Sequence, residues 1–248
     1  MKASESINNY NAKLREYANY AARQVKDVCK TIGPRPSGEE NEKKAQERFA
    51  EELKKYSDTV SIEPFDLHPK AFLGWVPLCA VLMILANLLF FIFGFSVVSL
   101  AVSALCLFFI VTEFLFYGET LDPFFPKRTS HNVVAVRKPK GEIKKRIIVS
   151  GHVDSSYEWR FTFLGGPKLI TLVIGGAVVG IVIALVAEIY CVATGNLMTT
   201  PDNLFVTVLK WVMLAWCILF FAAIFFLNYK LPVEGANDNL TGSLASMA

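Results

Sequence analysis

Two short polar stretches contain the residues best able to perform chemistry. Residues 151–156 read Gly-His-Val-Asp-Ser-Ser and place His152 two positions before the carboxylate of Asp154. An imidazole can act as a metal ligand or a base, and a nearby carboxylate can fix its tautomer and orientation. Residues 235–242 read Gly-Ala-Asn-Asp-Asn-Leu-Thr-Gly and supply a second carboxylate, Asp238. Taken alone, the first stretch is equally well explained as a strand end with a surface His and Asp.

The apolar residues before His152 predict the element that positions it. Ile147, Ile148 and Val149 form a β-branched run, which is typical of a buried strand. We therefore predict a strand over residues 146–150 that ends at the Gly-His turn. Open α/β sheets bind ligands beyond the ends of their strands, so this strand would present the imidazole at a sheet edge. Two further strands are predicted over residues 59–65 and 132–137.

A third polar stretch separates two predicted helices near the N-terminus. Residues 33–38 read Gly-Pro-Arg-Pro-Ser-Gly, and residues 4–31 before them have apolar side chains at three- and four-residue steps. Ser37 and Glu40 have the spacing of a capping box, which predicts the start of the second helix. Arg35 could contact a substrate, but a structural salt bridge is the favoured interpretation.

The composition is that of a membrane protein with polar parts. Hydrophobic residues make up 53% of the chain and charged residues 19%, which is too apolar for an ordinary soluble domain. Residues 71–112 contain no charged side chain. Because about 20 residues suffice to cross a bilayer, this block predicts two crossings with a turn at residues 93–96. Residues 169–187 and 211–229 predict a second hairpin, joined by a polar link at residues 195–203. The net charge of +3 does not suggest a nucleic-acid partner.

Two ionisable residues lie within the second predicted hairpin. Glu188 precedes the polar link and Lys210 follows it at a similar distance, so the two side chains could meet at one depth. A proton or ion path is one interpretation, and a structural pair near the membrane interface is the favoured one. Gly176 and Gly180 have the small-xxx-small spacing that suits close helix packing.

The three polar stretches, in this order, resemble the zinc aminopeptidases of metallopeptidase family twenty-eight. The resemblance implies a mixed-sheet α/β/α sandwich and two zinc ions that share a bridging carboxylate, with a glutamate base that activates water. It implies that His152 and Asp238 are zinc ligands and that Asp154 has a catalytic role in orienting the histidine. It also implies that the peptide bond after Asp238 is often cis. His68 and His131 match no ligand position.

The chain departs from the family pattern in two respects. The family's Glu-Glu pair, a further aspartate and a final histidine follow the bridging aspartate, whereas the ten residues after Asp238 include no Asp, Glu or His. Three explanations stay open: a truncated reading frame, which we favour, a remnant without activity, or a site completed by a partner chain. Activity of this chain alone is therefore doubtful. The second departure is the membrane hairpin that separates the His and Asp motifs.

The predicted architecture is a partial α/β/α sandwich interrupted by four transmembrane helices in two hairpins. Residues 1–70 are assigned to the N-terminal helices and first strand, and residues 71–117 to the first hairpin. Residues 118–165 are assigned to the strands with the His-x-Asp motif and residues 166–229 to the second hairpin. Residues 230–248 contain the Asn-Asp-Asn motif and the start of the remaining domain.

These features predict a membrane-embedded, zinc-dependent exopeptidase of the aminopeptidase type, with peptide substrates and the lipid bilayer as partners. A non-catalytic membrane receptor or scaffold with a peptidase-like fold is the alternative, and a small transporter or channel is the weakest interpretation. Of 25 Lys and Arg residues, only Lys210 lies outside the polar segments and their flanks. Positive residues mark the cytoplasmic side, so we predict that the polar segments face the cytoplasm. Because a hairpin is inserted between the motifs, membrane-associated peptides are the expected substrates.

Overall fold

The computed structural model describes residues 7–248 and shows a protein of mixed helices and strands. The chain divides into two compact units, each discontinuous in sequence. The motif unit comprises the chain up to residue 69 together with residues 127–157 and 229–248. The helical unit comprises residues 70–126 and 158–228, and it therefore consists of two insertions into the motif unit.

Two amphipathic helices form the N-terminal part of the motif unit. They are α1 (Tyr10–Thr31) and α2 (Glu40–Leu53). Val28 of α1 and Phe49 of α2 are buried together with Leu240 and Leu244, which flank and follow the Asn-Asp-Asn motif. This cluster is the core of the motif unit. Of the helix predicted over residues 4–31, residues 4–6 lie outside the part that the structure describes.

The two longest strands pair with each other in the motif unit. They are β1 (Thr59–Leu67) and β2 (Arg128–Val136). The strands are antiparallel, with Thr59 opposite Val136 and Leu67 opposite Arg128. Helix α2 packs against this pair. The structure confirms the strands predicted over residues 59–65 and 132–137, although their ends differ by a few residues.

The predicted capping box at α2 does not form. The N-cap residue of α2 is Glu39, and no side chain caps the helix. The hydroxyl of Ser37 instead donates to Asp154 Oδ2 at 2.6 Å, and the Gly38 N–H donates to Glu42 Oε2 at 2.6 Å. The Ser37 hydroxyl therefore makes a charge-assisted hydrogen bond to the carboxylate of the His-x-Asp loop and does not cap the helix.

Glu42 gives a prediction for the pH dependence of stability. Burial raises the pKa of the Glu42 carboxyl, although hydrogen bonds from Ser130 Oγ and the Gly38 N–H oppose the shift. The folded state then binds this proton more tightly than the unfolded state. The protonated Glu42 carboxyl contributes its full stabilisation below the ordinary glutamate pKa of about 4.3. This contribution is lost as the pH rises through the raised pKa of the folded state.

We therefore expect Glu42→Gln to remove a component of the unfolding free energy that decreases with rising pH above the ordinary glutamate range. The measurement is hydrogen exchange of α2 amides at several pH values in the wild type and the variant. Glu47→Gln, on the exposed face of the same helix, is the matched control. A difference between wild type and Glu42→Gln that is independent of pH would contradict this expectation.

No strand forms over residues 146–150, so that prediction is wrong. Residues 142–156 have no regular structure, and Ile147 and Ile148 are each 83% exposed. The part of the chain that the structure describes contains the β1–β2 pair and a short pair formed by β3 (Tyr157–Trp159) and β4 (Leu227–Pro232). Neither pair gives the isoleucine run a neighbouring strand, and an isolated strand is not stable in water. These two pairs do not establish the predicted three-layer sandwich, which stays a prediction.

The helical unit contains four helices that are long and apolar enough to span a membrane, as the sequence predicts. The first hairpin turns at Gly94, whose φ of 71° lies in the left-handed region that glycine adopts readily. The spans are α3 (Ala71–Phe93), α4 (Ser96–Phe109) extended by a π-helical turn (Ile110–Leu115), α5 (Arg160–Ile170) continuing through Thr171–Gly175 into α6 (Gly176–Ala193), and α7 (Leu204–Ile224). Helix α4 packs on both α3 and α6, and α7 also packs on both of these helices.

The small-xxx-small pair of α6 permits a close approach of α7. A Cβ atom added at Gly180 would collide with the side chains of Trp216 and Phe220. The indole N–H of Trp216 donates to the Gly176 carbonyl oxygen at 2.7 Å. The glycines therefore make room for an aromatic contact that also satisfies the indole donor.

Glu188 and Lys210 do not form the predicted pair. Glu188 is fully buried and accepts a hydrogen bond from Ser103 Oγ at 3.1 Å. Lys210 Nζ donates to Thr200 Oγ1 at 3.3 Å and lies 5.6 Å from the centroid of the Phe91 ring. The long lysine side chain thus carries its charge to the polar link, as lysines near the ends of membrane helices do.

Candidate metal centre

His152 lies between two carboxylates in the motif unit. Its Nδ1 atom is 3.0 Å from Asp154 Oδ1, and its Nε2 atom is 3.2 Å from Asp238 Oδ1. The side chain of Asp238 is 85% exposed and that of His152 52%, so the group is open at the surface of the unit. The structure therefore brings together the three residues that the sequence nominates.

The two contacts of His152 cannot both be hydrogen bonds from a neutral imidazole, because such a ring has only one N–H group. An ionised carboxylate accepts hydrogen bonds and cannot donate, so Asp154 requires the ring proton on Nδ1. The lone pair is then on Nε2 and faces a second acceptor, Asp238 Oδ1. Two acceptors 3.2 Å apart repel each other unless a cation lies between them. A metal ion bound by both atoms would remove this repulsion.

The distances fit a zinc ion. Nitrogen and carboxylate oxygen bind zinc at about 2.0–2.2 Å, so two ligand atoms of a tetrahedral site lie about 3.3–3.5 Å apart. The Nε2–Oδ1 distance of 3.2 Å is close to that value. A carboxylate on Nδ1 is also the usual outer partner of a zinc-bound histidine. His152 and Asp238 therefore fit two positions of a zinc ligand set.

The loop that carries Asp238 is anchored on both sides. Gly235 has a φ of 57°, and a Cβ atom there would lie 2.6 Å from Ser155 Cβ, so this position requires glycine. Leu240 is fully buried, and its N–H donates to the Gly235 carbonyl oxygen at 3.2 Å. The peptide bond between Asp238 and Asn239 is cis, in agreement with the expectation from the resemblance.

The His152 loop is held against the start of helix α8 (Thr241–Met247). The hydroxyl of Ser243 donates to the His152 carbonyl oxygen at 2.7 Å. A Cβ atom at Gly151 would lie 2.5 Å from the Ser243 nitrogen, so the glycine permits the close approach of the two motif loops. The small residues of both motifs thus serve to bring the two loops together.

Arg35 joins all three motif stretches, a role that the sequence prediction missed. It is fully buried, and Nη1 and Nε donate to the carbonyl oxygens of Gly33 at 2.6 Å and Val153 at 2.9 Å. Nη2 donates to the Glu234 carbonyl oxygen at 2.8 Å. Its backbone N–H donates to Ser155 Oγ at 2.8 Å, and its backbone oxygen accepts from the Ser155 N–H at 2.9 Å.

The favoured interpretation of Arg35, a salt bridge, is therefore wrong, because the guanidinium partners are backbone carbonyls. Burial lowers the pKa of the guanidinium from its ordinary value. An arginine between two prolines in a Gly-rich stretch is the sequence signal that could have indicated an ordered role.

Asp154 offers a prediction about how the histidine is oriented. It accepts from His152 Nδ1 through Oδ1 and from Ser37 Oγ through Oδ2. We expect Asp154→Asn to lower the zinc affinity of the His152–Asp238 site by about 10- to 100-fold without unfolding the motif unit. The amide is neutral and holds the imidazole less firmly than the carboxylate does.

The measurement is competition for zinc between the protein and a chelating dye. Ser37→Ala removes only the bond to Oδ2 and should have a smaller effect, so it is the graded control. Equal zinc affinity in the wild type and Asp154→Asn would show that the carboxylate does not support the metal site.

The group is an incomplete ligand set within residues 7–248. No cluster of three or more His, Cys, Asp or Glu side chains in this part of the chain has a metal-binding arrangement. Zinc sites use three or four protein ligands, so further ligands are needed. Of the other histidines, His131 lies on β2 and His68 directly follows β1, and neither joins the group.

Comparison with known proteins adds no relative. No protein-family model, curated protein or solved structure gives a significant match to this chain. Assignment of a function therefore depends on the motifs and on the geometry of the His152–Asp238 site.

Proposed function

We propose that the chain provides part of a membrane-embedded, zinc-dependent exopeptidase of the aminopeptidase type. One observation carries the proposal. His152 and Asp238 belong to motifs separated by a helical insertion, yet their Nε2 and Oδ1 atoms lie 3.2 Å apart. The order of the three motif stretches and the Asp154 contact on Nδ1 support the same conclusion. The three-layer α/β/α fold is part of this proposal.

The residues of this chain have distinct roles in the proposed site. His152 and Asp238 would hold zinc, and Asp154 would keep the ring proton on Nδ1 so that the Nε2 lone pair is available to the metal. When bound, zinc supplies Lewis-acid chemistry that lowers the pKa of water and polarises a carbonyl group. The resemblance assigns Asp238 the bridging role between two zinc ions. The glutamate base and the remaining ligands of that family have no counterpart among residues 239–248.

The direct test is release of N-terminal residues from peptides by the protein in its native membrane, where any further chain that contributes to the site is present. We expect the activity to disappear on chelation, to return with zinc and to be absent in His152→Ala. A full rate of zinc-dependent release with His152→Ala would refute the proposal.

A non-catalytic receptor or scaffold is the second candidate. The observation that favours it is the lack of a third metal ligand near His152 within residues 7–248. A receptor would bind peptides without releasing their N-terminal residue, and chelation would not change its affinity. The same membranes, assayed for both binding and release, therefore separate the two functions.

The charge distribution gives a prediction about sidedness. Two hairpins return the chain to the side that it left, and the polar segments carry nearly all of the Lys and Arg residues. We propose that these segments face the cytoplasm. In intact cells, an impermeant thiol reagent should label Thr199→Cys, in the link between α6 and α7, and should not label Glu142→Cys. Both positions are exposed.

The wild-type protein, with its five cysteines, measures the background of this experiment. Labelling of Glu142→Cys without labelling of Thr199→Cys would place the polar segments outside the cytoplasm, as the frequent location of the resembling family suggests.

A further inference from the structure

The helical unit encloses one carboxyl group completely. Glu188 on α6 is 0% exposed, and its neighbours Ala184 and Ala187 on the same helix are also fully buried. Helix α6 packs on α4 and α7. A carboxyl group in this position is outside the reach of bulk water, and such residues in membrane spans usually serve a function.

The two oxygens of Glu188 have different surroundings. Oε1 accepts the hydrogen bond from Ser103 Oγ on α4 at 3.1 Å. Oε2 is equally inaccessible but has no hydrogen-bond partner among residues 7–248. The other buried serines of α4 are directed elsewhere, since Ser99 donates to the Ala86 carbonyl oxygen and Ser96 to that of Thr199. Ser103 is therefore the α4 serine whose hydroxyl bonds to this carboxyl.

No basic side chain balances Glu188. Within residues 7–248, its carboxyl group bonds to the Ser103 hydroxyl and to no Lys, Arg or His side chain. Lys210 of α7 is engaged by Thr200 and by the face of Phe91. The other titratable groups of the elements packed around this position are the buried thiols Cys191 on α6, Cys106 on α4 and Cys79 on α3, the half-buried thiol Cys217 on α7, and the exposed phenol Tyr190 on α6.

We propose that Glu188 is a proton-binding site inside the membrane-spanning helices, with the proton on Oε2 and the Ser103 hydrogen bond on Oε1. An ionised carboxylate with an enclosed, unpartnered oxygen and no counter-ion would be far less stable than the neutral acid. A metal cation is a poorer occupant, because hard cations take about six or more oxygen ligands and here the acid and one hydroxyl converge. Loss of the proton would leave an unbalanced charge at the α4–α6 contact, so proton binding is coupled to helix packing. This inference is independent of the zinc proposal.

The test uses a hydrophobic carbodiimide, which modifies protonated carboxyl groups in apolar surroundings. The wild-type protein in detergent micelles is treated at neutral pH and digested, and the adduct on each acidic residue is measured by mass spectrometry. We expect modification of Glu188 to exceed that of the exposed Glu119 by roughly tenfold or more. It should decline at alkaline pH by roughly tenfold for each pH unit beyond its midpoint.

Glu113 is the matched internal control. It is a buried carboxyl of the same unit, but the Leu121 N–H donates to its Oε1 at 3.0 Å, so its hydrogen-bond donor is a backbone amide and not a serine hydroxyl. Glu188→Gln should eliminate the adduct at this position and leave those on Glu113 and Glu119 unchanged. It should also keep the thermal stability at neutral pH, because the amide resembles the neutral acid.

Two results would overturn the proposal. Modification of Glu188 no greater than that of Glu119 at neutral pH would show that the carboxyl is ionised. Protection by sodium ions, with no dependence on pH, would show that a metal cation and not a proton occupies the site.

Discussion

Replacement of His152 or Asp238 by alanine should abolish zinc binding at the site that these residues form. His152 Nε2 and Asp238 Oδ1 lie 3.2 Å apart, and each variant removes one of these two ligand atoms. We expect the affinity to drop by at least about 100-fold, the upper end of the range for losses of outer-shell partners, because a ligand itself is lost. In the native membrane, both variants should also lack zinc-dependent release of N-terminal residues.

The wild-type chain of 248 residues should itself bind zinc only weakly and hydrolyse no peptide. Two protein ligands are fewer than the three or four of stable zinc sites. The measurement is competition with a zinc-sensitive dye for the wild type, His152→Ala, Asp238→Ala and the double variant. His131→Ala is the matched control, because this histidine lies on β2 in the same unit and away from the site.

Two outcomes would contradict the assignment of His152 and Asp238 as an incomplete zinc site. Tight, stoichiometric zinc in the double variant would place the metal elsewhere in the chain. Equal losses in His131→Ala and His152→Ala would show that the histidine effect is not local. Because the assay measures affinity, it is informative even where the chain has no activity.

The membrane helices were the part of the fold that sequence reasoning predicted best. A block of 42 uncharged residues, 71–112, is too long for one crossing, and Gly94 marks the turn. Their outer ends were less predictable. Hydropathy locates the apolar centre of a span, but α5 begins at Arg160, nine positions before the predicted residue 169, because an aromatic helical segment precedes the span and joins it across a kink at Gly166.

The convergence of His152 and Asp238 was expected from the resemblance of the motifs, and the structure shows that their glycines permit it. Gly151 meets the Ser243 backbone, and Gly235 meets the Ser155 side chain. The strand over residues 146–150 could not be predicted reliably, because a β-branched run becomes a strand only beside a partner. Local propensity carries no information about whether that partner is present.

Partner choice was the other limit of sequence reasoning. Ser37 and Glu40 satisfied a local capping pattern, but the carboxylate of Asp154, distant in sequence, took the Ser37 hydroxyl. Glu188 and Lys210 were similarly expected to meet at one depth in the membrane. Glu188 instead bonds to Ser103, and Lys210 bonds to Thr200. Such choices depend on which acceptor reaches a donor in three dimensions, and the spacing of residues along the chain does not determine this.

Replacement of Arg35 by alanine should cause the largest loss of stability among the motif residues. The guanidinium supplies hydrogen bonds to carbonyl oxygens of three separate stretches, represented by Gly33, Val153 and Glu234. Its removal leaves these acceptors unpaired around a cavity, so we expect a loss of about 3–5 kcal/mol in the unfolding free energy of the motif unit. Arg35→Lys should recover only part of this, because an ammonium group cannot reproduce the planar fork.

The measurement is hydrogen exchange of the slowest amides in α1 and α2, which reports the unfolding free energy of this unit. Arg48→Ala is the matched control. Arg48 pairs with Asp27 at 2.6 Å on a half-exposed surface, so its loss should cost about 1 kcal/mol or less. If Arg35→Ala cost no more than Arg48→Ala, the three loops would be held by their glycine contacts and by the Leu240 core alone. Because Arg35 touches neither His152 nor Asp238 through its guanidinium, a parallel loss of zinc affinity in Arg35→Lys would show that loop position, and not ligand identity alone, determines metal binding.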